Sequence, residues 1–167
     1  MVMQATNTIP EHPVQGSFAA LMELYENNYI YLRRLVPQLD GRRDAQVSSV
    51  DRGPDLHLEV IERCPYTTSL LLTHRFPRHR GEEALPDLKV RIYHDARVAE
   101  VLMASASPSA SIPPTEPQHA GGTLAWRWAA NRFLNRWLRY CLGEGHGFPV
   151  DEGSWGQDRP LARRWAV

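Results

Sequence analysis

Lysine is almost missing from this chain: Lys89 is the one lysine among 19 cationic residues, and every other cation is arginine. With no lysine cluster, and with 19 acidic residues bringing the net charge to zero, the sequence offers no basic track for a nucleic-acid backbone. An all-but-pure arginine set leaves planar, bidentate recognition of an anion open, because the guanidinium presents its donors as a rigid fork.

Cysteine is scarce too. Cys64 and Cys141 stand in unrelated contexts with no CxxC or Cys/His ligand spacing around them, so neither a disulfide framework nor a zinc site is expected, and both thiols are read as reduced. No apolar run approaches the ~20 residues of a membrane span. The opening MVMQATNTIPEHPVQG has no basic stretch followed by an apolar one, so the expectation is a cytoplasmic protein without membrane contact. HxH, HExxH and GxSxG are all missing. The glycines of GEGHG at 143–147 follow a helical pattern instead of opening one, so they do not cradle a phosphate on a helix N-terminus. No cofactor, metal or catalytic residue is expected.

What is present is enough for a single core: 167 residues, 43% of them hydrophobic. Residues 1–16 carry prolines and polar residues without periodicity and are read as an arm, 17–150 as one domain, and 151–167 as a tail. Ser17 is a helix-capping residue, and Phe18, Leu21, Tyr25, Asn28, Leu32 and Leu35 recur at helical spacing until Pro37. Asn28 interrupts that stripe, so it must sit at its edge or find a partner inside.

From about 45 to 104 the period changes to two. AQVSSVDRG is a weak edge strand. Leu56, Leu58 and Val60 alternate with His57, Glu59 and Ile61, and YTTSLLLTHRF follows Cys64-Pro65. A strict two-residue loop at Cys64-Pro65 would set Leu58 opposite Leu71; a bulge or longer connection sets it opposite Leu72 and is preferred. RHRGEEALPD reads as a polar loop, with His74 and His79 on its approach. Leu88, Val90 and Ile92 then lead through RIYHDARVAEV into a hairpin with Ile92 facing Ala99, Val90 facing Val101, Leu88 facing Met103 and Arg91 facing Glu100. A Pro/Ser/Ala-rich loop occupies 104–122. A second helix begins at Thr123, with Trp126, Ala130, Phe133, Trp137 and Tyr140 or Cys141 on its stripe and Arg132, Arg136 and Arg139 on its polar side. The fold class is α+β: an antiparallel meander of four or five strands, with an N-terminal and a C-terminal helix on one face.

His94 and Asp95 are adjacent and look like half of a metal or hydrolytic site, but no further ligands accompany them, and a turn is where an aspartate of this kind belongs. The residues selected for ligand binding are Arg33, Arg34, Arg91, Tyr93, Glu100 and Arg132, the arginines as anion forks and the tyrosine as a stacking surface.

The stretches ENNYIYLRRLVP, CPYTTSLL, VRIYHDARVAEV and NRWLRYCL, in that order and spacing, resemble the YqiB-like family of small bacterial proteins, a domain of unknown function. The resemblance runs from Ser17 to Val150 and leaves out the arm, the Pro/Ser/Ala-rich run and the tail. It implies no activity and no catalytic residues. It does imply genes that often neighbour those for a cyclic-AMP phosphodiesterase and an ADP-ribose pyrophosphatase, an associational hint that adds slightly to the nucleotide or phosphate ligand already expected from the arginines. The functional expectation is a non-enzymatic interaction or regulatory module that binds a protein partner or a second copy of itself. Small-anion binding is the alternative, and a hydrolase at His94 and Asp95 a distant third.

Overall fold

A computed structural model describes residues 16–39, 45–78, 81–105 and 123–149, with side chains placed for all of these except 77, 78 and 81–85. The arm before residue 16, the run from 106 to 122, and the tail lie outside the described residues, as do His12, His79 and His119.

The first helix, α1, spans Phe18–Leu35. Ser17 Oγ accepts the Ala20 amide at 3.2 Å, satisfying one of the free donors of the first turn. Arg33 and Arg34 sit in the last turn, where cations complement the helix dipole. Leu21, Tyr25, Asn28, Leu32 and Leu35 form the buried stripe. Phe18, at the first helical position, does not join it and is 71% exposed.

Five antiparallel strands follow as a meander in sequence order: β1 Ala45–Ser48, β2 Asp55–Arg63, β3 Thr67–Arg78, β4 Gly81–Tyr93 and β5 Val98–Ser105. Leu58 pairs with Leu72 and Val60 with Leu70, and a bulge at Ile61 makes this possible while the turn closes with the Cys64 amide on the Thr67 carbonyl at 2.8 Å. The polar stretch after Phe76 is not a loop. β3 and β4 continue until Arg78 pairs with Gly81, which carries His74 onto the sheet. Thr73 pairs with Asp87 and Arg75 with Ala84, so Leu85 and Pro86 together oppose His74. A bulge is where a strand tolerates a residue that cannot donate to the ladder.

The β4–β5 hairpin pairs Tyr93 with Val98, Ile92 with Ala99, Arg91 with Glu100 and Val90 with Val101. Past that point the expected pairing of Leu88 with Met103 fails. Lys89 faces Met103 and Leu88 faces Ala104, because a bulge at Leu102 inserts one residue and moves everything after it to the other face. Met103 is accordingly 56% exposed.

The second helix, α2, spans Leu124–Gly143, with Thr123 Oγ1 accepting the Trp126 amide at 3.2 Å. Its buried face is Trp126, Ala130, Asn131, Leu134, Trp137, Leu138 and Cys141. Tyr140 lies outside the stripe, and Arg132, Arg136 and Arg139 are exposed. Both helices share one apolar cluster with Leu56, Leu58, Leu70, Leu72, Leu88, Val90, Ile92 and Val101, each such side chain contributing about 1.5–3 kcal/mol by leaving water. His57, Glu59, Leu71, Asp87, Lys89, Arg91 and Tyr93 occupy alternate positions and therefore the opposite, outer face.

Candidate interaction face and its polar hub

The outer face is ordered by side chains that cross the strands. Arg91 Nε donates to Ser69 Oγ at 3.2 Å, and Nη2 lies 3.6 Å from Glu62 Oε2 on β2. Tyr93 donates its hydroxyl proton to Glu100 Oε1 at 2.8 Å. Glu100 in turn receives Arg127 Nη1 of α2 on Oε2 at 3.2 Å, so each oxygen of its carboxylate accepts one donor although the residue is only 8% exposed. Tyr25 of α1 brings its buried hydroxyl near both charges without hydrogen-bond geometry to either, and burial pushes its phenol upward. The Tyr93 phenol is raised as well, by burial first and then by donation to Glu100. Three elements, α1, β4 and α2, thus converge on Glu100 of β5.

Of the residues selected from sequence, Arg91, Tyr93 and Glu100 fall on this connected face. Arg33 and Arg34 lie at the end of α1, where Arg34 stacks 5.8 Å above the Tyr31 ring, and Arg132 is on the exposed side of α2. No described hydrogen bond or ion pair joins those three to the Arg91–Glu100 group. His94 and Asp95 go separate ways: His94 Nε2 is 2.8 Å from Thr68 Oγ1 on β3, while Asp95 Oδ1 accepts the Ala96 amide at 2.8 Å within the turn.

Two polar groups were not anticipated. Asn131 Oδ1 accepts the backbone amide of Val101 at 3.0 Å and its Nδ2 donates to the Arg127 carbonyl at 2.8 Å. Asn28 Nδ2 reaches Asn131 Oδ1 at 3.3 Å, and Asn135 Nδ2 donates to Asn28 Oδ1 at 3.1 Å. Asn28 thus has its partner inside, across the helix pair. The second group surrounds His74, which is 2% exposed. Trp137 Nε1 donates to His74 Nδ1 at 3.2 Å, which leaves the imidazole proton on Nε2, facing Cys141 Sγ at 3.7 Å. Burial, and next the neighbouring His146, lower the His74 pKa to about 4, while burial pushes the Cys141 thiol up to about 12. A metal at Nε2 would need Nδ1 to carry the proton, which Trp137 forbids. Among the described residues no group of His, Cys, Asp and Glu is arranged to hold a metal ion, and no helix is long and apolar enough to cross a membrane.

Residues 31–147 match the family described as "Protein of unknown function (DUF1249)". The chain is 33% identical over 128 residues to "Uncharacterized protein YqiB" of Escherichia coli strain K12, covering 77% of this chain and 90% of that protein. The proteins of the same name from E. coli O6:H1 and O157:H7 match to the same extent. No solved structure matches. The matched span takes in the end of α1, the whole meander and α2, and the chain belongs to the DUF1249 family, the YqiB-like proteins of unknown function.

Proposed function

We propose that this protein is a non-enzymatic cytosolic module that docks another protein, or a second copy of itself, through the outer face of its sheet. The observation that carries the reading is the cross-strand anchoring of Arg91 and Tyr93, each fixed before any partner arrives. Arginine and tyrosine dominate measured binding hot spots, and a side chain already fixed in place avoids about 0.5–1.5 kcal/mol of ordering cost on association. Leu71 and Met103 add apolar surface on the same face. Free thiols at Cys64 and Cys141 suit a reducing compartment.

A small phosphate or nucleotide at Arg91 ranks second, because Glu62 already lies against the guanidinium and would have to be displaced. Light scattering of the purified protein and capture of partners on immobilised wild type and Arg91→Glu test the docking reading. A self-association or a retained protein that the variant loses supports it. A monomer whose captured proteins are identical in wild type and variant contradicts it. Calorimetric heat with cyclic nucleotides or ADP-ribose, removed by Arg91→Ala, would transfer the assignment to the small ligand.

A further inference from the structure

The 19 cations and 19 acids of the chain are not spread evenly: the 20 residues of α2 carry four arginines and no carboxylate. Arg127 is engaged by Glu100, which leaves Arg132, Arg136 and Arg139. All three are exposed, and among the described residues no hydrogen bond or ion pair engages their side chains. Their i, i+4, i+7 spacing sets them in one row about 10 Å long on the side of the helix away from the core. None lies in the last turn, so the helix dipole does not account for them, and Arg132 and Arg136, four apart, repel each other. One position further on, Phe133, Trp137 and Tyr140 form a second row with the same spacing. Trp137 is buried against His74, ring centroids 5.2 Å apart, and His74 also holds Tyr140 and Phe76 of β3 edge-on, each at 6.3 Å. Tyr140 is 50% exposed and Phe76 39%. An arginine row thus runs beside two open aromatic rings fixed on a buried hub.

We propose that this flank of α2 binds single-stranded nucleic acid, with phosphates on the guanidinium forks and bases stacked on Tyr140 and Phe76. One ligand then uses both rows, since the forks match phosphate oxygens and an aromatic face accepts any base. An acidic protein segment would use the arginine row alone. A double helix keeps its base faces stacked inside, where the rings cannot reach them. The chain has no lysine cluster to extend the track, so three forks make a weak, sequence-tolerant site of micromolar affinity at low salt. It lies on the helix layer, away from the sheet face proposed for protein docking, and neither depends on the other.

Fluorescence anisotropy of a labelled oligothymidylate of about 15 nucleotides, titrated with the full chain, tests this. Binding should weaken with salt along a log–log slope of about −2, the value for three single-strand phosphates. Each of Arg132→Gln, Arg136→Gln and Arg139→Gln should reduce that slope by about 0.7, and the triple variant should lose binding while keeping its circular dichroism. Tyr140→Ala should weaken binding about fivefold or more at unchanged slope, and Tyr140→Phe, which keeps the ring, should bind as wild type does. No anisotropy change at low salt, equal binding by wild type and the triple variant, or affinity indifferent to Tyr140→Ala would each overturn the proposal. Polyglutamate that displaces the labelled strand as well as unlabelled oligothymidylate does, at equal charge, would overturn it in favour of an acidic protein partner.

Discussion

Asn131 Oδ1 accepts the backbone N–H of Val101 at 3.0 Å, and through that one bond a side chain of α2 closes the outer edge of β5. An edge strand with free donors invites pairing with another chain, and here a helix side chain occupies one of them. The same oxygen also receives Asn28. Asn131→Ala leaves the Val101 amide without its acceptor, while Asn28 Nδ2 keeps the Asn131 backbone carbonyl at 3.3 Å, and a buried orphan costs about 1–3 kcal/mol. Urea unfolding should place the variant about 1–3 kcal/mol below wild type, and exchange at Val101 should rise first.

Glu100 and Arg127 offer an asymmetric test. Removing the Glu100 charge frees Arg127, whose side chain is 37% exposed and can reach water. Removing Arg127 leaves a carboxylate that is nearly out of solvent with the neutral Tyr93 hydroxyl as its remaining described donor. Arg127→Met should therefore cost more stability than Glu100→Gln, by about 1 kcal/mol or more; chemical denaturation of the two single variants decides the order.

Acid should weaken the fold through His74. Its pKa is depressed to about 4 in the native state against 6.5 in the unfolded chain, so the unfolded state binds more protons across that interval and stability falls as pH drops from 6.5 towards 4. The span corresponds to an order of 3 kcal/mol. Asp87, whose carboxyl burial pushes up, acts in the opposite sense near the bottom of the range. Melting temperature against pH should show a loss that His74→Gln reduces.

Much of this architecture can be read from residue spacing alone. The alternation of Val90, Ile92, Ala99 and Val101 dictates the hairpin register up to the point where Leu102 bulges, and nothing local announces that bulge. RHRGEEALPD reads as a loop with His74 on its approach because it is polar and carries glycine and proline, yet a long two-stranded hairpin tolerates both at its tip and at a bulge. Asn131 carries the same signal as Asn28, a polar residue on an apolar helical stripe, three residues before Leu134 and seven before Leu138. Its partner, a strand amide thirty residues earlier, is a product of tertiary packing. Arg127 hides for a similar reason, since only the docking of α2 beside β5 brings it to Glu100. The six residues chosen for binding divide because arginines on α1, β4 and α2 share no spacing that could bring them together.

The docking reading makes its sharpest claim at Lys89, which lies on the outer face between Leu71 and Met103. A photoreactive residue at position 89 in the full chain, with an equivalent one at Arg136 on exposed α2 as control, should cross-link in cells to one discrete protein or to a second copy, and Arg91→Glu should abolish that product. Cross-linking that is absent at 89, or equal at 89 and 136 and indifferent to Arg91→Glu, would contradict the assignment of the sheet face as the binding surface.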